Sequence, residues 1–170
     1  ASETEVLDRS LEVFQGMLPK ELQERVVGSI PLDMAASETE VLDRSLEVIQ
    51  EEEREREEEL VEQLITAATS KGGHGALGLD DTLAAVQEGR AHILVVAERY
   101  IATGYGCQNC GYVAARELKK CSFCCGDMAP IEDTVNTIVR KAIELGMEVE
   151  VVKGSAALEE AGSIGAILRY

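Results

Sequence analysis

The chain has 170 residues, enough for one domain of ordinary size together with a smaller element. It contains no run of 18 apolar residues and no leader with a charged and then an apolar part, so we expect no membrane partner. Five cysteines within 19 positions fit a metal site in a reducing compartment better than a secreted disulfide framework, so we predict a cytoplasmic protein. The net charge of −16, with 4% aromatic residues and no tryptophan, disfavours general binding to nucleic acids, because phosphates are repelled and bases find few stacking platforms.

The acidic residues are concentrated in the first third of the chain. Residues 1–62 contain 19 acidic and 6 basic residues, whereas residues 63–170 contain 13 and 10. A short repeat lies in the same part, since residues 1–15 and 36–50 differ only in having phenylalanine at position 14 and isoleucine at position 49. Residues 16–35 have no later copy, so the sequence does not predict a repeat array.

Two helices are predicted before residue 72. Residues 18–28 have a proline in the first turn and a glycine after the last one, which is typical of a short helix. A much longer helix is predicted over residues 36–71, because Ser37 and Glu40 form a capping box and a glycine pair follows. Its middle part, residues 50–59, reads QEEEREREEE and has no apolar face, so we predict a solvent-exposed acidic connecting helix.

After the long helix the pattern changes to short elements separated by glycines. The GGHG stretch at 72–75 lacks the Lys-Ser/Thr that would follow in a phosphate-binding loop, and it predicts a flexible linker. A helix is predicted at 78–89, opened by Asp80 or Asp81. The strand that follows, 91–97, is a continuous apolar run, which indicates burial on both faces.

The closing part of the chain alternates helices with strands. The predicted elements are a helix at 131–145, a strand at 147–154, a helix at 155–162 and a strand at 163–170. This alternation predicts an α/β fold for residues 72–170, an α-β-α sandwich with a mixed sheet and right-handed crossovers between parallel neighbouring strands.

All five cysteines lie between residues 107 and 125, in the sequence CQNCGYVAARELKKCSFCC. Two Cys-x-x-Cys turns, Cys107/Cys110 and Cys121/Cys124, supply the four soft donors of a tetrahedral structural zinc site. We predict a zinc-knuckle insertion at 105–128 that lies outside the core, with a hairpin between the two cysteine pairs. Cys125 is the alternative to Cys124 as the fourth ligand, and two unrelated reduced thiol pairs are the alternative to a metal site.

Other polar residues do not form a catalytic set in the sequence. His92 lies among apolar residues of a strand and is predicted to be a strand-end or hydrogen-bonded histidine. Asp80 and Asp81 are adjacent and therefore diverge, so they do not make a general acid–base pair. No nucleophile has a base and an orienting group at a suitable spacing, and four cysteines leave no open position on a metal. We therefore predict that the chain is not an enzyme.

Three stretches of the chain carry a family resemblance. GLDDTLAAVQEGRAHILVVAE at 78–98, the two Cys-x-x-Cys turns and the closing GSIGAILRY at 162–170 resemble the C-terminal domain of archaeal and eukaryotic-type class-1 peptide chain release factors and their relative Pelota. ASETEVLDRSLEVIQEEE, which begins at residue 36, is similar to the helix that leaves the middle domain of these factors. The resemblance covers residues 16–170 and implies that 1–35 is a remnant of the preceding middle domain.

This resemblance implies a binding module and not a catalyst. In the family, the domain is an α-β-α sandwich that docks on a translational GTPase, and its zinc-containing or zinc-less minidomain adjusts the contact with the ribosome. Peptide release in the family is attributed to a Gly-Gly-Gln loop, and Gly72-Gly73-His74 does not match it. The alternatives are an RNA-binding module, which scattered basic residues disfavour, and a ribosome-rescue or hibernation module on the same fold.

Overall fold

The computed structural model describes residues 10–169 with the exception of 12, 15 and 24. The chain divides into two compact units, Ala1–Arg56 and Glu57–Tyr170, which are described separately here. Most of the first copy of the repeat, residues 1–15, falls outside the described residues. The predicted domain divisions after residues 35 and 71 stay predictions.

The first unit contains helix α1 (Lys20–Gln23) and the beginning of helix α2 (Glu38–Thr69). The helix predicted at 18–28 is shorter than expected, since Arg25 lies in a turn and the valine and glycine residues at 26–28, which weaken a helix, do not extend it. The predicted cap of α2 is confirmed, since the Glu40 N–H donates to Ser37 Oγ at 3.2 Å. None of the described residues between 10 and 56 is buried.

The second unit is an α/β fold. Its strands are β1 (Gly75–Leu77), β2 (Ala91–Ala97), β3 (Gly104–Cys107), β4 (Val113–Ala114), β5 (Met128–Ile131), β6 (Glu148–Val152) and β7 (Ile164–Leu168), and its further helices are α3 (Leu79–Gln87), α4 (Thr134–Glu144) and α5 (Ala156–Glu160). The main sheet has the order β1-β7-β2-β6, in which β2 and β6 are parallel and β7 is antiparallel to both of its neighbours. The predicted mixed sheet is confirmed, although only the β2–β6 pair is parallel.

Helices cover both faces of this sheet. On one face a core cluster includes Leu83 and Val86 of α3, Ile138 of α4 and Leu94 of β2. On the other face the end of α2 contributes Leu64, which is fully buried in a cluster with strand residues and with α5. Burial of such side chains stabilises a domain by about 1.5–3 kcal/mol each. The predicted sandwich and the long helix are therefore both present.

The GGHG stretch is not a flexible linker, contrary to the prediction. Gly75 begins β1, which pairs with β7, and the carbonyl of His74 accepts the Leu168 N–H at 2.7 Å. A Cβ on Gly75 would lie 2.6 Å from the backbone nitrogen of Ala68, so this glycine permits close contact between α2 and β1. A three-residue strand has too few side chains for a periodic pattern, so β1 could not be predicted from the sequence.

One predicted helix cap and one predicted helix start are wrong as well. Helix α3 has Gly78 at its N-cap, with no capping hydrogen bond from a side chain, and both predicted caps, Asp80 and Asp81, lie in its first turn. Helix α4 begins at Thr134, where the Asp133 side chain accepts a backbone N–H of the first turn at 2.9 Å. The predicted first residue of that helix, at position 131, belongs instead to β5.

Candidate metal centre

The four cysteines of the two Cys-x-x-Cys turns lie on two loops with the same backbone pattern. In the first knuckle, residues 107–112, the Gly111 N–H donates to the carbonyl of Cys107 at 3.0 Å, and the Cys107 N–H donates to the carbonyl of Tyr112 at 2.7 Å. The second knuckle, residues 121–126, repeats these bonds 14 residues later, at 3.0 and 2.9 Å. The same local turn therefore presents each pair of sulfurs.

A small second sheet, of order β4-β3-β5, carries these knuckles. Strands β3 and β4 form a hairpin around the first knuckle, and an isolated bridge between Lys120 and Asp127 closes the second. A hairpin was predicted between the two cysteine pairs, but the observed hairpin lies around the first pair, closer to the N-terminus. The prediction that the whole insertion lies outside the core is also wrong, because Val113 of β4 is buried in the core cluster of α3 and α4.

The four sulfurs face one another. Cys107 Sγ lies 3.4 Å from Cys124 Sγ, Cys110 Sγ lies 3.5 Å from Cys121 Sγ, and all four are within 4.8 Å of one another. A regular tetrahedron with metal–sulfur bonds of about 2.3 Å has sulfurs about 3.8 Å apart. The donor set and its size fit a metal ion, so these four cysteines could hold one.

Cys125 has a different environment from the other cysteines. It is exposed, it is not part of the four-sulfur group, and its φ of 56° lies in the left-handed region. The equivalent residue of the first knuckle is Gly111, with a φ of 71°. Cys125 thus occupies the turn position that the knuckle needs for its backbone, and its neighbour Cys124 points its sulfur at Cys107.

The surroundings of Cys124 and Cys110 shift the pKa values of these two thiols in opposite directions. The Asn109 side chain, followed by the Gly126 N–H, lowers the pKa of Cys124 to about 6. The Tyr112 N–H favours the Cys110 thiolate, but Cys124, burial and the other neighbouring thiols outweigh it and raise the pKa of Cys110 to about 12. At neutral pH, Cys110 therefore keeps its proton unless a cation offsets the crowded negative charges.

Gly126 lets the two knuckles approach each other. A Cβ at this position would lie 3.0 Å from Asn109 Cβ and 3.2 Å from the sulfurs of Cys107 and Cys124. These distances are shorter than ordinary van der Waals contacts, so any side chain at this position would displace the sulfurs. Neither this glycine nor Asn109 could be predicted from the sequence, because neither follows from the spacing of the cysteines alone.

Three side chains from the helices hold the end of the first knuckle and the segment that follows it. The amide of Gln87 binds both backbone groups of Val113, and Lys141 Nζ donates to the carbonyl of Gly111 at 3.3 Å. Arg116 pairs with Asp80 at 2.9 Å. The four-cysteine group is therefore joined to α3 and α4 by side chains as well as by the chain itself.

The remaining candidate residues are not brought together. His92 is exposed and lies where the β2–β7 register shifts, between positions 91 and 93, and Asp80 is engaged by Arg116. Over the described residues, no second group of three or more His, Cys, Asp or Glu is placed to share a metal ion. A search of the same residues for helices long and apolar enough to cross a bilayer finds none.

No family model matches the chain, and comparison with curated proteins gives no match. Solved structures do match. The C-terminal domain of a peptide chain release factor from Methanosarcina mazei is 21% identical, with a TM-score of 0.54 over 80% of this chain and 97% of that one. Pelota from Archaeoglobus fulgidus is 19% identical, with a TM-score of 0.53 over 83% of this chain and 39% of that one.

These similarities concern the fold. At about 20% identity, the chain shares the architecture of the release-factor and Pelota C-terminal domains, which confirms the predicted resemblance at the level of structure. The match to Pelota spans about two fifths of that protein. Activity and partners are therefore matters of proposal.

Proposed function

We propose that this chain is a protein-interaction module of a translation termination or ribosome-rescue factor, and that it docks on a translational GTPase or on the ribosome. The observation that carries the proposal is the fold shared with the release-factor C-terminal domain, which is matched over 97% of its length. The module itself performs no chemistry in this proposal. Peptide release would require a different domain of the factor.

The arrangement of polar residues supports a binding role. Among the described residues, the one group fit to hold a metal consists of four cysteines. A metal ion held by four thiolates has no open position for water or substrate, so it stabilises structure and does not activate a reactant.

We assign zinc to the centre, with Cys107, Cys110, Cys121 and Cys124 as ligands in a minidomain at 105–128. Four thiolates in a tetrahedral arrangement are the donor set that zinc favours in structural sites. When bound, zinc would offset the thiolate charges and join the two knuckles. Cys125 stays outside this set, because its backbone position serves the turn and its sulfur lies apart from the group.

The proposed docking is tested by measuring binding of the purified chain to purified translational GTPases and to ribosomes at about physiological salt, where surface charge alone is largely screened. Three exposed apolar residues allow the surface to be mapped: Ile101 after β2, Phe123 on the second knuckle and Ile143 on α4, which are 71%, 71% and 60% exposed. Each is changed to glutamate. The matched control is Glu52→Lys on α2, which changes charge elsewhere.

We expect saturable binding to a GTPase or to the ribosome that at least one of these three substitutions weakens tenfold or more, while the control binds normally. Failure to bind either partner would contradict the proposal. Binding to isolated structured RNA, with a steep loss as salt rises, would favour the RNA-binding alternative. Hydrolysis of peptidyl-tRNA by the chain would contradict both.

A rescue factor is the second candidate function, since the fold is about as similar to Pelota as to the release factor. The two candidates make different predictions for ribosomes. A termination module would bind ribosomes that display a stop codon, in the presence of its GTPase and the remaining domains. A rescue module would bind ribosomes stalled without a stop codon, so a comparison of the two ribosome preparations separates them.

A further inference from the structure

The side chain of Gln87, the last residue of α3, pairs with the backbone of Val113 as a neighbouring strand would. The Val113 N–H donates to Gln87 Oε1 at 2.6 Å, and Gln87 Nε2 donates to the carbonyl of Val113 at 2.9 Å. The same amide nitrogen also lies 2.9 Å from the carbonyl of Leu83 in its own helix, which fixes its orientation. The two hydrogen bonds to Val113 are partly buried, where an amide left without a partner would lower the stability of the fold.

Val113 directly follows the first knuckle and lies two residues beyond Gly111. It pairs with Gly106 of β3 and its side chain is 2% exposed in the core. The residue before it, Tyr112, accepts the Cys107 N–H and so closes the knuckle. A continuous set of contacts therefore runs from α3 through the backbone at 112–113 to a predicted metal ligand.

We propose that Gln87 is a positioning residue for the metal centre, and that through it metal binding is coupled to the stability of the α/β unit. This inference rests on the proposed metal site. Gln87 does not touch the metal. It holds the backbone after the first knuckle where Cys107 and Cys110 meet the second knuckle.

The physical reason is preorganisation. A metal ion requires four sulfurs at fixed positions, and a loop that must be ordered on binding reduces its affinity. Residues that orient metal ligands from outside typically contribute 10–100-fold to metal affinity. Lys141 and Arg116 act on the same segment, but their ion pairs and hydrogen bonds are exposed, so we expect Gln87 to have the larger effect.

Thermodynamic linkage makes this inference quantitative. If Gln87 tightens metal binding by a given factor, then bound metal must strengthen the Gln87–Val113 connection by the same factor. Metal affinity and metal-induced protection of Val113 are therefore two measurements of one coupling. A residue that only stabilised the fold would change stability equally with and without metal.

The test compares Gln87→Leu, which removes both hydrogen bonds, with Gln87→Glu, which keeps the acceptor for the Val113 N–H but places a carboxylate oxygen against its carbonyl. Gln63→Leu, on an exposed face of α2, is the matched control. Zinc affinity is measured by competition with a chelator, and cobalt is used as a spectroscopic probe of tetrahedral thiolate coordination. Each variant is also unfolded with denaturant in the metal-free and the metal-loaded state.

We expect about tenfold weaker zinc binding for Gln87→Leu, a smaller loss for Gln87→Glu, and wild-type affinity for Gln63→Leu. In the wild type, zinc should slow hydrogen exchange of the Val113 N–H by at least the factor by which Gln87→Leu weakens zinc. A Gln87→Leu protein that binds zinc within twofold of wild type would overturn the inference, as would equal loss of stability with and without zinc. If Gln87→Leu does not fold, Gln87→Glu serves for both comparisons.

The proposed metal site has a separate outcome. A wild-type chain that binds no zinc or cobalt in reducing buffer would refute the site itself, and the coupling with it. A wild-type chain that binds zinc normally, together with variants that bind it equally well, would refute the role of Gln87 alone.

Discussion

Gly111 and Cys125 occupy the same position in the two knuckles. Their φ angles are 71° and 56°, and each N–H donates to the carbonyl of the first cysteine of its turn at 3.0 Å. Glycine adopts this conformation without strain, whereas a residue with a Cβ is destabilised by about 1–2 kcal/mol. The second knuckle therefore retains strain that the first does not have.

This difference predicts opposite effects of two substitutions. Gly111→Ala should lower the free energy of unfolding by about 1 kcal/mol. Cys125→Gly should leave it unchanged or raise it by up to about 1 kcal/mol, because the relief of backbone strain exceeds the extra conformational entropy that a glycine loses on folding. Denaturant unfolding of the metal-loaded proteins measures both. Equal destabilisation by the two substitutions would mean that the knuckles are not equivalent.

The ligand set predicts that Cys124 and Cys125 respond differently to serine. Wild type should bind one zinc per chain, Cys125→Ser should also bind one, and Cys124→Ser should lose the metal or bind it at least 100-fold more weakly. Metal analysis and cobalt spectra of the freshly reduced proteins test this. Loss of metal from the Cys125 variant alone would show that Cys125, and not Cys124, is the fourth ligand.

The unequal pKa values predict an order of reactivity in the metal-free protein. At pH 7 the thiol of Cys124, with a pKa lowered to about 6, is mostly thiolate and should be alkylated faster than Cys110, whose pKa is raised to about 12. Because the pKa of Cys124 is lower in the folded than in the unfolded protein, its thiolate should stabilise the folded state at high pH. This stabilisation is lost as the pH falls through about 6. Mass spectrometry after timed alkylation measures the order.

Two comparisons sharpen the alkylation experiment. Asn109→Ala removes the leading cause of the low pKa and should slow the reaction of Cys124 at neutral pH. Added zinc should protect both cysteines. Faster reaction of Cys110 than of Cys124 in the metal-free wild type would show that the thiolate is favoured at Cys110 and not at Cys124.

The acidic segment of α2 should tolerate substitution except at one position. Glu52→Ala and Glu55→Ala should change the free energy of unfolding by less than about 0.5 kcal/mol, because both side chains are exposed. Glu57 differs, since its carboxylate accepts the Lys153 N–H at 2.7 Å after β6. Glu57→Ala should be destabilising by about 1 kcal/mol or more, and Glu57→Gln, which keeps an acceptor, by less. Thermal unfolding of the four variants tests the contrast.

The contact between α2 and β1 predicts a large effect at Gly75. Gly75→Ala places a methyl group against the backbone of Ala68 and should be destabilising by about 1–3 kcal/mol, whereas His74→Ala, which keeps its backbone carbonyl, should have little effect. Denaturant unfolding distinguishes them. If Gly75→Ala were neutral, the GGHG stretch would behave as the flexible linker expected from its composition.

Local signals in the sequence account for the parts of the fold that were predicted correctly. The apolar run at 91–97 and the cap at Ser37 involve neighbouring residues, and both elements appear as expected. The four cysteines are also paired by short spacings, and the fold brings them into one group. The four close cysteines and the layers that surround them could therefore be predicted from short-range patterns, whereas their role as metal ligands stays a prediction.

The parts that were missed depend on contacts between distant residues. Gln87 and Val113 are 26 positions apart, and a glutamine at the end of a helix usually faces solvent. Gly126 reads as an ordinary turn glycine until the first knuckle is placed beside it. Strand β5, which reads MAPI, carries a proline that argues against a strand unless the strand lies at an edge.

The edge position of that proline has a consequence for behaviour in concentrated solution. Strand β5 borders the three-stranded sheet, and Pro130, opposite Tyr105, has no N–H to offer to an incoming chain. An outer strand with a complete set of free donors is a template on which other molecules add strands and form aggregates. Pro130 interrupts that template beside the four cysteines, which disfavours the addition of a strand from another chain at this edge.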